Sequence, residues 1–249
     1  MVTLAGLPME SMQVRDLTEF YDGHLGAVAR RILLRRLRLV WPNVEGLRVL
    51  GYGYAMPYLR PFLVEAERCV AAMPGHMGFA SWPGGKCLTA LVEEDAFAFP
   101  DAFFDRVLVV HGLESAESLR PLLRQLWRVL APEGKLLLVA PNRASLWAQV
   151  EWSPFGQGRP FSRRELENIL RDVLFVPGFW DRALYVPPFN SRGLIGTGAS
   201  WERLGQRFAP GLGGVHLVEA TKSLYAPVGP TPVPSGARRV RLDPESSPS

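Results

Sequence analysis

The sequence predicts an α/β fold: a doubly wound, mostly parallel sheet of seven strands with an antiparallel last strand. Three observations predict it. Short apolar segments without strict alternation recur along the chain, which suits strands covered on both faces. Segments of helical period lie between several of them. The final apolar segment follows a Gly-rich turn, GLGG, which suits a chain that doubles back.

The elements follow in order. From Leu17 to Trp41 apolar residues fall at helical spacing (Leu25, Ala29, Ile32, Leu33, Leu37), and Pro42 stops the run. GLRVLGYG reads as the first strand, RCVAAMPG and KCLTALVEED as the second and third, and FFDRVLVVHGLE as the fourth. A helix then carries Leu119, Leu122, Leu123, Leu126, Trp127 and Leu130 on one stripe, with Ser118 as its expected N-cap. The turn APEG leads into the apolar strand GKLLLVAPN. SRRELENILRDVLF is a helix with the capping-box pair Ser162 and Glu165. DRALYVPP and GVHLVEATKSLYAP are expected as the last two strands, paired antiparallel. One domain over residues 1–226 is expected, with a helical segment at 10–42, followed by a disordered Pro/Ser-rich tail over 227–249.

Composition narrows the function classes. The chain of 249 residues is 47% hydrophobic and 21% charged, enough for a large core. No apolar run has the length of a membrane span, and the N-terminus lacks the pattern of a signal peptide. Cys69 and Cys87 lie far apart without a metal-ligand spacing, so neither a metal site nor a disulfide framework is expected, and a cytoplasmic location is. The net charge of +4 does not call for a nucleic-acid partner. Arg30, Arg31, Arg35, Arg36 and Arg38 crowd one helix, but helical spacing spreads them around it and no aromatic residues interleave for base stacking. A solvated face, with arginine stems on apolar surface, is the favoured reading over RNA binding.

In a sheet of this kind ligands bind beyond the carboxyl ends of the strands, where the strand order reverses. The loops after the first four strands hold the candidates. After the first strand the chain reads Gly51-Tyr52-Gly53-Tyr54-Ala55-Met56-Pro57. After the third comes Glu93-Glu94-Asp95-Ala96-Phe97-Ala98-Phe99-Pro100, and then Asp101 to Val107. After the fourth, VLVVHGLES leads to LRQLWRVLAPEGKLLLVAPN. Together these segments resemble the class I S-adenosylmethionine-dependent methyltransferases, in their small-molecule, type 11-like branch, over roughly residues 15–225.

The resemblance implies a Rossmann-like methyltransferase fold, S-adenosylmethionine as cofactor and a small-molecule methyl acceptor as partner. Carried over by position, Gly51, Gly53, Tyr54 and Ala55 would hold the methionine end of the cofactor. Asp95 and the Ala96 amide would meet the adenine, and Tyr21 would form a pocket wall. His111, at the end of the fourth strand, would cover the cofactor or act as general base. Trp152, Phe155 and Tyr185 would line the acceptor side. The chain also departs from the family. Gly51 stands where an acidic residue is usual, Ala55 where a second glycine is, and Met73-Pro74 closes the second strand without a carboxylate. Two readings follow: a small-molecule methyltransferase, or a methyltransferase-like domain that has lost cofactor and catalysis and serves in binding or assembly.

Overall fold

Alternating apolar side chains on buried strands point to opposite faces of a sheet, and each face needs its own cover. The computed structural model, which describes residues 12–84, 87–188 and 198–224, meets that need with two cores. The elements are α1 (Val14–Asp22), α2 (His24–Val40), β1 (Arg48–Gly53), α3 (Met56–Leu59), β2 (Arg68–Pro74), β3 (Thr89–Val92) and β4 (Phe104–Val110). They continue with α4 (Leu119–Val129), β5 (Leu130–Pro141), α5 (Arg163–Asp172), β6 (Phe175–Ala183), α6 (Gly198–Phe208) and β7 (Val215–Lys222). The sheet order is β3-β2-β1-β4-β5-β7-β6. The first five strands in that row run parallel, and β7 is antiparallel to both β5 and β6.

Leu108 and Val110 of β4, with Leu137 and Val139 of β5, pack into the core beneath α1, α2 and α3. Their neighbours Val107, Val109, Leu136 and Leu138 pack into the other, beneath α4 and α5. The stripe Leu122, Leu123 and Leu126 is fully buried there. The seven strands, mostly parallel with an antiparallel last strand, agree with the fold class read from the sequence.

Several local expectations need correction. The helix expected from Leu17 to Trp41 is broken at Gly23, which is extended (φ −72°, ψ 162°). The break lets α1 cross α2 closely: a Cβ on Gly26 would lie 2.0 Å from the Phe20 carbonyl oxygen. Ser118 stands at the N-cap of α4, yet its side chain makes no capping bond. The Glu94 carboxylate serves instead, accepting from the amides of Glu117 (3.0 Å) and Ser118 (3.3 Å).

The sixth strand lies earlier than DRALYVPP and ends at Ala183, because Leu184 turns into the left-handed region (φ +63°). Its ladder to β7 slips in register between Pro177 and Phe179, and such irregularity is tolerated at a sheet edge. The Ser162–Glu165 capping box is formed as expected. The Pro/Ser-rich tail at 227–249 and the start of the segment 10–42 lie outside the described residues. No helix among those described is long and apolar enough to cross a membrane.

Candidate functional site

The carboxyl ends of β1 and β4 are bound together at the point where the strand order reverses. Gly53 takes a positive φ (+77°), and a Cβ there would lie 2.4 Å from the Val110 carbonyl oxygen and 2.8 Å from the Gly112 Cα. Only glycine combines that backbone with that approach. The Tyr54 amide donates to the Val110 carbonyl at 2.8 Å, closing the turn onto β4. A Cβ on Gly51 would meet the Leu59 side chain at 2.6 Å and the Ala55 Cβ at 2.7 Å, so packing leaves no room for a carboxylate at this position. Ala55 is buried at the start of α3. Thus Gly51, Gly53, Tyr54 and Ala55 are brought together beside β4.

His111 stands at the centre of this end. It is fully buried and holds a left-handed backbone (φ +53°), a conformation that costs energy for a residue with a side chain. Its Nδ1 lies 3.0 Å from Glu114 Oε1, and its Nε2 lies 2.7 Å from the Tyr21 hydroxyl. The Tyr58 hydroxyl donates to that of Tyr21 at 2.8 Å. One set of protons runs the length of the chain: Tyr21 donates to His111 Nε2, and Nδ1–H donates to Glu114 Oε1. Glu114 Oε2 is buried with no partner. Burial, and then the neighbouring Tyr58, push the Tyr21 phenol well above its ordinary pKa, so it stays a donor at any physiological pH.

Aromatic rings enclose the histidine. Tyr21 stacks on Tyr54 with centroids 5.7 Å apart, Phe155 lies 4.8 Å from the His111 ring, and Trp147 packs on Phe155 at 5.3 Å. Thr18 ties down the Tyr54 hydroxyl at 3.0 Å. Of the residues expected on the acceptor side, Phe155 therefore reaches the histidine. Trp152 is solvent-exposed, and Tyr185 lines a separate apolar cavity of about 300 Å³ with Trp147, Leu184, Val186 and Trp201.

A second cavity, of about 330 Å³, opens where β2, β3 and the turn into α4 meet. Gly75, His76, Glu93, Glu94, Asp95 and Ser118 are among its walls. Here the structure divides the acidic run differently from the sequence. Asp95 is exposed, with its carbonyl accepting from Gln125 Nε2 at 2.6 Å, while the Ala96 amide is engaged by the Glu93 carbonyl. Glu94 is the half-buried carboxylate: Oε2 caps α4, while Oε1 faces His76 Nδ1 at 3.7 Å and has no hydrogen-bond partner. Burial raises its pKa. His76 Nε2 and the Tyr52 hydroxyl are buried without partners as well.

Sequence reasoning did not single out Glu114 and Glu94, which the structure brings to His111 and His76. The spacing of His111 and Glu114 in one turn was the available signal for the first. Nothing in EED singles out its middle residue, because the choice depends on where the start of α4 lands. Among the described residues no group of three or more His, Cys, Asp or Glu side chains gathers as a metal site. In the arginine-rich helix α2, Arg38 pairs with Glu65 at 2.8 Å and Arg36 with Asp181 at 3.4 Å.

Residues 55–138 match the family model described as a methyltransferase domain, of type 11. No curated protein matches the chain in sequence. Among solved structures the chain is similar to a SAM-dependent methyltransferase from Thermotoga maritima, at 15% identity and a TM-score of 0.58, covering 84% of this chain and 96% of that one. It is also similar to a SAM-dependent methyltransferase from Archaeoglobus fulgidus, at 19% identity and a TM-score of 0.56, covering 78% and 94%. A third, from Mesorhizobium loti, is similar at 16% identity and a TM-score of 0.53, covering 76% and 96%. At these identities the structures speak for the fold alone, and the match to a methyltransferase domain is confined to residues 55–138.

Proposed function

We propose, for a chain that carries a type 11 methyltransferase domain on a class I methyltransferase fold, that it is an S-adenosylmethionine-dependent methyltransferase acting on a small molecule. One observation carries this reading: at the cavity between the ends of β2 and β3, Glu94 Oε1 makes no hydrogen bond and faces His76 Nδ1 at 3.7 Å, while His76 Nε2 is without a partner too. Buried polar atoms without partners are uncommon and suit a polar ligand that supplies the missing bonds. Glu94 and His76 offer an acceptor and a donor for the nucleoside half of S-adenosylmethionine, in place of the carboxylate that β2 lacks. The methionine half would lie toward Gly53 and His111, where Tyr21 on α1 is the wall that must give way.

When bound, this cofactor supplies an electrophilic methyl group. The chain's own part is to align an acceptor and to remove its proton. His111 is built for the second task. An acceptor hydroxyl or amine that displaces the Tyr21 hydroxyl from Nε2 would pass its proton there, and Glu114 at Nδ1 would balance the imidazolium. The apolar cavity by Trp147, held apart from His111 by the Trp147 and Phe155 rings, suits a small apolar acceptor once those rings shift.

A second reading has its own support. With Gly51 packed against Leu59, and Tyr21 stacked on Tyr54 above the turn, the methionine end is filled by the chain's own rings. That favours a domain which keeps the fold without catalysis and serves in binding or assembly. Isothermal titration of the native chain and of Tyr21→Ala with S-adenosylhomocysteine separates the two. Saturable binding that Glu94→Gln weakens supports the enzyme; no heat from either protein at millimolar ligand supports the second reading.

A further inference from the structure

At the far edge of the sheet a third cavity, of about 410 Å³, is lined by Arg36, Arg163, Trp180, Asp181, Arg182 and His216 among others. Its charges are unevenly matched. Arg36 is committed to Asp181 at 3.4 Å and to Glu202 at 3.8 Å. Among the described residues, neither Arg163 nor Arg182 has a carboxylate partner. Arg163 lies over the Trp180 ring, 4.8 Å from its centroid, and Arg182 spends one nitrogen on the Pro210 carbonyl at 2.9 Å while its Nε is buried without a partner. Between them His216 is 2% exposed, and its ring makes no fully formed hydrogen bond, its one polar approach being to the Phe161 backbone. Burial, and then the charges of Arg182 and Arg163, hold its pKa down to about 4, with the Phe161 backbone acting in the opposite direction.

The register explains the gathering. Arg182 and His216 are direct cross-strand partners on β6 and β7, so their side chains share one face. Arg163 opens α5, whose first turn adds the positive end of a helix to the same side. Two guanidinium groups without carboxylate partners, around a buried imidazole that keeps a ring nitrogen to spare, form an incomplete polar cluster. The missing element is an anion with several acceptor oxygens.

We propose that this cavity is a binding site for a phosphoryl group, carried by a small phosphoester, and distinct from the methyl-transfer site. A phosphoryl group accepts from Arg163, from Arg182 and from an N–H of His216 at once, whereas a single-atom anion cannot. The cavity exceeds a bare phosphate and leaves room for the esterified part along Trp180. His216 lies level with Ala140 on β5, and Val139 lies level with Val110 on β4, immediately before His111. The two sites thus share one end of the sheet, about two strand spacings, or roughly 10 Å of backbone, apart. His111 meets α1, whereas the cavity of His216 wraps the β6 edge, with Arg36 of α2 on one wall and Arg163 of α5 on the other.

The test is titration of the native chain with inorganic phosphate and phenyl phosphate, read by calorimetry and by the ring-nitrogen resonances of His216. Saturable binding that moves those resonances supports the site. Arg163→Gln and Arg182→Gln are each expected to weaken it roughly tenfold, and Arg→Lys at the same positions to retain part of it. Should a Gln variant fail to fold, the His216 resonances of the native chain still decide. Vesicles of phosphatidylcholine and phosphatidate separate the source: retention on them without a response to phenyl phosphate would assign the phosphoryl group to a lipid and overturn the small phosphoester. A response equal to that of chloride, or none, overturns the proposal altogether. S-adenosylhomocysteine binding, measured on the same variants, is expected to be unchanged, so failure here and failure of the methyltransferase reading remain distinct.

Discussion

Two residues show how local geometry fixes chemistry in this chain. Gly53 combines a left-handed backbone with contact to the β4 carbonyl, so Gly53→Ala brings both a conformational penalty and a clash. A loss of roughly 2 kcal/mol or more is expected, read as a lower midpoint in urea unfolding. His216 makes the other case through its proton. It is neutral in the folded chain, with a pKa of about 4 against an ordinary 6.5. Between those values the unfolded chain binds a proton that the folded chain does not. The contribution of His216 is therefore whole above pH 6.5 and is lost as the pH falls toward 4, by about 3 kcal/mol in total. Urea midpoints across that range should fall in the native chain and fall less in His216→Phe.

At the scale of elements, the start of α5 is the cleanest test of a feature legible in the sequence. Ser162 accepts from the Glu165 amide at 3.2 Å, and Ser162→Ala should cost about 1 kcal/mol, measured by urea unfolding. Capping boxes can be read from sequence because all their parts lie within four residues. The parallel strands were legible for a similar reason, as each holds a short apolar run, such as residues 107–110 or 136–140, with its charged residues gathered toward the start. What escaped reading depends on partners far along the chain. The break at Gly23 exists because α1 crosses α2 at Gly26, and helical spacing alone runs straight through it. β6 was placed too late because Pro177-Gly178 interrupts its pattern, while the true end is set by pairing with β7. In the candidate site, Gly53 and His111 were visible as a turn and a strand end. The contacts of Glu94 and Glu114 were not, since a carboxylate's neighbours, and not its place in the sequence, decide which oxygen is left free.

On the scale of the whole molecule, the sheet joins the two cores and brings the ends of β1, β2, β3 and β4 to one rim. The cavity beside Glu94 and His76 lies on that rim, and the apolar cavity beside Trp147 lies past the ends of β5 and β6. The position of β7 ties this arrangement together. It lies between β5 and β6, although it follows both in the chain. Glu219 of β7 accepts from Trp41 Nε1 at 2.8 Å and pairs with Lys135 at 3.0 Å, and Lys222 donates to the Leu130 carbonyl at 2.6 Å. During synthesis on the ribosome, β5 and β6 therefore emerge with no strand to join them. Both present open edges until residue 222 has cleared the exit tunnel. The nascent chain must wait, partly assembled, for its last strand, and the interval in which chaperones can act on it is set by translation of the segment from β6 to β7.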